Sequence, residues 1–232
     1  MKKIGLLGFI LGISVQLFAQ GIDFQKVPFS EALELAKTQN KIVFVDCYTS
    51  WCGPCKFMAD SIFPQKETGD YFNKRFIAVK YDMEKLEAKE FCDLYTVSSF
   101  PTFWFISPRG EVLYRMGGAS LTRKEWLSRV DQALEEGAKL EKLRQNYRKN
   151  KNEKNTQAYL EALGNIQFGE GICELFLEQF KESSDKIDFL YQNKNFLTKH
   201  LSPMHFEKFR KALKGCEGYV PEMEEIFEGV FF

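Results

Sequence analysis

The chain has 232 residues, 44% of them hydrophobic and 23 of them Phe, with 32 basic side chains balancing 32 acidic ones. That length can bury a substantial core and leaves room for one domain plus an extension. With no net charge there is no basic footprint, so nucleic acid is excluded as a partner on composition.

The opening stretch MKKIGLLGFILGISVQLFAQ has two lysines, an apolar run from Ile4 to Phe18, and Ala19 near its end. This is the layout of a secretory signal peptide. The run of about 15 residues is shorter than the roughly 20 a membrane span needs. Residues 1–20 are therefore expected to be cleaved, the alternative being an uncleaved N-terminal anchor. Loss of Lys2 and Lys3 leaves 30 basic against 32 acidic residues, a net charge of −2. No cysteine sits at the cleavage region, and every later segment is too polar to span a bilayer. The expectation is a soluble exported protein, periplasmic or otherwise outside the cytosol, where disulfides form.

Residues 21–137 read as alternating helices and strands. Ser30 is the expected N-cap of a first helix, SEALELAKTQNK, with Glu31 in its first turn. KIVFVDCY is a nearly continuous apolar run, as in a strand covered on both faces. It leads into TSWCGPCKFMADSIF, which regains helical spacing through Phe57, Met58 and Ile62. KETGDYFNKRF reads as helix and FIAVKYD as strand. Helical spacing returns in MEKLEAKEFCDLYTV through Leu86, Phe91, Leu94 and Tyr95. TFWFIS and EVLYRM, joined by PRG, predict a hairpin. A last helix, LTRKEWLSRVDQALEE, has a capping box in Thr122 and Glu125 and a hydrophobic staple expected between Leu121 and Trp126. The order predicts an α/β sandwich with one mixed sheet.

From Gly137 onward charge dominates, and residues 138–232 read as an all-α extension. TQAYLEAL, ICELFLEQF, IDFLYQNKNFLTKHL and PMHFEKFRKAL carry apolar residues at helical spacing, and Ser202 before Pro203 marks a helix start. Cys173 and Cys216 are the only cysteines there; they read equally as a disulfide or as two free buried thiols. The final FEGVFF is an apolar tail, docked or left for a partner.

The chemistry concentrates in WCGPCK, residues 51–56. Covalent haem attachment needs a histidine after the second cysteine, where this chain has Lys56. A structural zinc site usually takes four ligands, but the other cysteines are scattered and both histidines, His200 and His205, lie far down the chain. A structural disulfide across three positions closes too small a loop to constrain much. A redox role has a cause at each position. Cys52 at the start of a helix faces unpaired N–H groups, which favour thiolate. Gly53 lets the backbone turn, and Pro54 suits the first helical turn. Cys55 follows one turn later, placed to attack a mixed disulfide at Cys52. Cys47 should point to the opposite strand face from Asp46 and reads as a core thiol.

VDCYTSWCGPCK resembles the strand-to-helix junction of the thioredoxin superfamily, and residues of roughly 28 to 137 follow that family's order of elements. The resemblance implies a thioredoxin-like sandwich with a central mixed sheet. It also implies roles for two further residues. Asp46 stands where the family keeps a buried carboxylate beneath the dithiol, and Pro101, in VSSFPTFWF, where it keeps a cis-proline facing the cysteines. On the residues alone, Asp46 also reads as a hydrogen-bonded strand-end aspartate and Pro101 as a trans proline opening a strand. By the same resemblance Trp51, Gly53, Pro54, Phe100, Pro101 and Thr102 border the substrate groove. The stretch from Cys55 to Pro101 is longer than in minimal thioredoxins, which leaves open whether Lys80 or Asp82 is the second charged residue near the dithiol.

The implied activity is thiol–disulfide exchange through Cys52, Cys55 and Asp46, without metal or cofactor beyond the dithiol itself. The leading expectation is an exported reductase of client-protein disulfides, resupplied with electrons by a membrane thiol relay. Two alternatives stand beside it: an oxidase or isomerase using the same residues, and a non-catalytic docking module whose helical extension binds a partner.

Overall fold

The computed structural model describes residues 21–227. The expected signal peptide lies outside the described residues, as does the FEGVFF tail apart from the backbone of Phe227. Five strands form one sheet in the order β1-β3-β2-β4-β5: β1 (Phe24–Gln25), β2 (Ile42–Tyr48), β3 (Phe76–Asp82), β4 (Thr102–Ile106) and β5 (Val112–Gly117). The first three run parallel, and β4 and β5 are antiparallel, so the sheet is mixed. The parallel strands are connected by helices α1 (Phe29–Gln39), α2 (Gly53–Phe57), which widens into a π-helical turn at Met58–Ile62, and α3 (Lys66–Arg75). A 3₁₀ turn (Leu86–Ala88) and α4 (Lys89–Leu94) precede β4.

Strand alternation divides the core between the two sheet faces. Phe44, Phe76, Ala78, Phe103 and Phe105 face one way, with Met58, Ile62, Phe63, Phe72 and Trp126 packed over them. Phe44 sits at the centre, its ring 5.0 Å from Phe72 and 6.0 Å from Trp126. Aromatic pairs of this kind contribute about 1 kcal/mol each beyond the area they bury. Val43, Val45, Cys47, Val79, Tyr81 and Trp104 face the other way.

On that second face the core does not stop at the sheet. Helices α5 (Arg123–Lys149), α6 (Glu153–Asn165), α7 (Gly169–Glu182), α8 (Lys186–His200), α9 (Pro203–Lys214) and α10 (Glu222–Phe227) follow β5. Buried apolar residues of α6 to α10, with Leu140 and Tyr147 of α5, join that core in one continuous cluster, while Trp126, Val130 and Ala133 of α5 pack on the first face. Phe168 makes the seam, 6.0 Å from Trp104 and 6.3 Å from Tyr95 by ring centroid. Helix α5 passes unbroken through position 137, so the change in composition there falls inside a helix. Gly137 marks a close approach: a Cβ at that position would lie 3.0 Å from the Cβ of Leu113 on β5. The helix start is capped by Thr122, whose Oγ1 accepts a bond from the Glu125 amide at 3.2 Å.

Several local expectations are corrected. The first helix starts at Phe29, with Pro28 as its N-cap; the Ala32 amide donates to the Pro28 carbonyl at 3.0 Å, and Ser30 lies inside the helix. Burying Phe29 against Phe91 pulls the start forward by two residues. The staple between Leu121 and Trp126 does not form, because Leu121 is 78% exposed while Trp126 is fully buried. The Glu125 carboxylate instead accepts from the Leu121 amide at 2.9 Å. Leu86 and Leu94 point to solvent, leaving Ala88 and Phe91 as the inward residues. The 3₁₀ turn has about three residues per turn and shifts the helical phase between them. Cys173 and Cys216 are both free thiols.

Candidate active site

The site forms where β2 ends. The chain turns at Thr49, whose carbonyl accepts from the Cys52 amide at 3.2 Å, and enters α2 with Cys52 as the N-cap. Pro54 occupies the first turn, where a missing N–H removes no helical bond. The Cys52 sulfur accepts a bond from the Cys55 amide at 3.2 Å. Sequence spacing alone thus brings one backbone donor onto the first sulfur.

Cys52 and Cys55 are joined in a disulfide with an S–S distance of 2.05 Å. Both are nearly buried, at 4% and 6% exposure. The surface beside them is made by their neighbours: Gly53 and Pro54 are exposed, and Trp51 is 65% exposed. Trp51 is nevertheless held in place. Its ring meets that of Phe100 edge-on at 5.9 Å, and its Nε1 donates to the Glu84 carboxylate at 2.9 Å. Glu84 carries no sequence signal, since it lies in the turn after β3 and only the fold brings it to Trp51.

The Phe100–Pro101 peptide bond is cis. The Pro101 carbonyl accepts from the Gly118 amide at 2.9 Å, and Pro101 is buried while Phe100 is partly open. Thr102 is fully buried, and its Oγ1 donates to the Ser99 carbonyl at 2.7 Å. Its side chain braces the loop around the cis-proline from inside and is not part of the open surface.

Asp46 shares the aromatic face of β2 with Phe44 and is 6% exposed. It pairs in register with Lys80 on β3 and Phe103 on β4. Burial raises its carboxyl to a pKa of about 7, against the pull of the nearby Lys80 cation. A cleft of about 430 Å³ reaches Asp46 and is also lined by Ala59, one turn beyond Cys55, and by Phe63 and Lys80. Of the two charged residues left open by the sequence, Lys80 is the one beside Asp46. Asp82 instead pairs with Lys85 at 3.2 Å. Cys47 lies on the opposite face, and burial pushes its thiol well above the ordinary range. Burial also raises Cys92, and pushes Cys173 up to about 12. Among the described residues, no group of three His, Cys, Asp or Glu side chains converges as a metal site. No described helix is long and apolar enough to cross a membrane.

Comparison with known proteins points the same way. The model of the thioredoxin-like domain family matches residues 29–134. Thioredoxin Y1 of Arabidopsis thaliana chloroplasts is 32% identical over 113 residues, covering 49% of this chain and 62% of that one. The chain spans a little under two thirds of the length of this relative and of its rice counterpart, at 62% and 64%. A thioredoxin-like protein of Synechocystis is 31% identical over 93 residues, covering 40% of this chain and 83% of its own length. Thioredoxin H4 of Arabidopsis thaliana is 38% identical over 90 residues, covering 38% of this chain and 69% of its own length. Among solved structures, a Bacteroides thetaiotaomicron protein provisionally named a disulphide-isomerase is 43% identical, with TM-score 0.45, over 50% of this chain and 96% of that one. With a cysteine pair at the start of α2, a mixed five-stranded sheet and relatives matched over most of their length, this chain belongs to the thioredoxin family.

Proposed function

We propose that this protein is an exported thiol–disulfide oxidoreductase that reduces disulfides in client proteins. The observation that carries the reading is the Cys52–Cys55 pair at a helix start, with a backbone amide aimed at the first sulfur and a buried carboxylate of pKa about 7 whose cleft is lined by Ala59, one turn beyond Cys55. In the reduced form, the Cys55 amide favours negative charge on Cys52, making it the nucleophile. Cys52 thiolate attacks one sulfur of a client disulfide, forming a mixed disulfide and releasing the first client thiolate. Asp46 takes the proton of Cys55, with water in the adjoining cleft as carrier. Cys55 thiolate then attacks the Cys52 sulfur and displaces the second client thiolate. Two electrons pass to the client, and the enzyme is left as the disulfide.

A carboxyl titrating near neutral pH suits this step, since a general base works best with a pKa near the operating pH. Trp51, Gly53, Pro54, Phe100 and Pro101 are the client-contacting surface in this reading, with Thr102 contributing its backbone at the groove. No cofactor is needed beyond the dithiol. Export follows from the N-terminal sequence, and in an oxidising compartment a reductase needs a dithiol donor, for which a membrane thiol relay is the proposed source. Residues 21–137 are proposed as the catalytic domain and 138–232 as an appended helical unit.

Insulin-disulfide reduction tests the proposal. The intact protein should be active and Cys52→Ser inactive, whereas an inactive intact protein defeats it. Titration against glutathione then assigns direction: a potential near that of thioredoxin, about −270 mV, supports a reductase, and one above about −180 mV an oxidase or isomerase.

A further inference from the structure

The helices after β5 reach the loop that leads to the cis-proline. The Thr96 amide donates to the Glu170 carboxylate at 2.6 Å, and Lys208 Nζ donates to Thr96 Oγ1 at 3.4 Å. Beside this loop two surface clefts of about 400 and 580 Å³ meet, sharing Arg115, Asn165 and Gln167. The first begins at Ser99 and Gly117, next to the Phe100–Pro101 bond, and includes Arg129. The second runs out to Lys199 and His200 at the end of α8.

No carboxylate lines either cleft, yet three fixed cations do. Among the described residues, Arg115, Arg129 and Lys199 have no carboxylate partner at ion-pair distance. Arg129 donates to the Gly117 carbonyl at 2.6 Å and to Ser120 Oγ at 2.9 Å. Arg115 donates to Gln167 Oε1 at 3.1 Å and lies over the Trp104 ring. Arg129 also donates to the Gly118 and Ala119 carbonyls, so neutral oxygens and a ring orient these guanidinium groups, while the Glu170 carboxylate acts on Arg115 from beyond ion-pair distance and outside the cleft lining. In a chain whose formal charge is zero, three cations with no carboxylate in the lining make this a local concentration of positive charge. Fixed guanidinium forks suit carboxylates.

We propose that this cleft is a client subsite for an acidic peptide segment, binding Asp or Glu side chains near the client's disulfide. The proposal rests on the reading of Cys52 and Cys55 as exchanging with client disulfides. It assigns the helical extension a part in client choice, because Asn165, Gln167 and Lys199 complete a site that the sheet and its loop begin.

The test uses the full chain and three disulfide-bridged peptides of equal length, with flanks rich in Glu, Gln or Lys. At low salt the Glu peptide should be reduced with a kcat/KM about fivefold above the Gln peptide, the scale of two part-exposed ion pairs. The Lys peptide should fall below both. At 1 M salt, where the screening length is about 3 Å, the three should converge. The variant Gln167→Glu/Lys199→Glu, at two exposed positions, should abolish the preference. Lys142→Glu/Lys154→Glu, on exposed positions away from the cleft, should keep it. Equal rates for the Glu and Gln peptides, or a preference that survives the cleft variant, overturn the proposal.

A second arm separates this from failure of the exchange reading. Peptides with Ser in place of both cysteines cannot react, and their binding is followed by fluorescence anisotropy. Charge-dependent binding lost in the cleft variant supports the subsite even if no peptide is ever reduced. Binding independent of charge refutes it even if all are.

Discussion

The thioredoxin-like region buries Asp46 and the helical extension half-buries Glu170, both close to the loops described above, and the two carboxylates are treated in opposite ways. Asp46, between β3 and β4, is desolvated with only Lys80 to offset the loss, and its pKa rises to about 7. Burial would raise Glu170 in α7 as well, but contact with His205 at 2.9 Å and the Thr96 amide bond outweigh it and hold the carboxyl below the usual range. A buried carboxyl without matched donors is kept ready to change protonation at a cost in stability. One supplied with donors is a fastener. Under the proposed exchange mechanism, the contrast separates a proton acceptor from a group that ties two segments together.

The largest effect that would break this comparison is at Asp46. A raised folded pKa means the native state holds the proton more tightly than the unfolded chain, so stability falls as pH rises from about 4 to about 7 and is flat above. Asp46→Asn removes that penalty. With the disulfide intact, it should stabilise the protein by up to roughly 4 kcal/mol at pH 8 and by almost nothing at pH 4, read from urea unfolding. A variant less stable than the parent at pH 8 would mean that Asp46, like Glu170, is a structural fastener.

Arg144 sharpens the assembly side. It is 4% exposed, donates to the Val112 carbonyl at the start of β5, and pairs with Glu141. Its Nε also donates to Tyr159 Oη at 3.1 Å, tying α6 to the same point. Arg144→Ala strands the Val112 carbonyl and cuts the tie to Tyr159, while Glu141 keeps Arg109 at 2.6 Å, and should cost about 3 kcal/mol. Unchanged unfolding would show that apolar contacts alone hold the extension.

The smallest effect is at Glu170. A depressed folded pKa gives stability that is complete above the ordinary glutamate range and is lost as pH falls through the folded value. Glu170→Gln should therefore cost about 2 kcal/mol at pH 7 and little at pH 3. Amide exchange at Thr96 reports it locally: protection there should drop in the variant while the strand amides of β2 keep theirs.

Much of the site was readable in the chain because its determinants are local. The disulfide at Cys52 and Cys55, the N-cap at Cys52 and the turn made by Gly53 and Pro54 lie within four residues. The hairpin of β4 and β5 follows from two strand-like runs and a turn, where Gly110 adopts a positive φ of 82°. Glu84 could not be found this way, since nothing in its neighbourhood requires a partner 33 residues away. The helix start at Pro28 and the solvent-facing Leu86, Leu94 and Leu121 depart from the sequence pattern for one reason. Periodicity tells how apolar residues are spaced, but burial also depends on which neighbours arrive from elsewhere.

Short-range chemistry in this chain is written into its order of residues: cysteine spacing, turn formers, caps and strand alternation act over a few positions, where covalent geometry leaves few choices. Distance in sequence marks the limit. The choice of Lys80 over Asp82 beside Asp46, the turning of Thr102 into the interior, and the gathering of cations around Arg115 depend on segments meeting after folding. Desolvation and charge pairing, which depend on the whole environment of a group, act only once those segments have met.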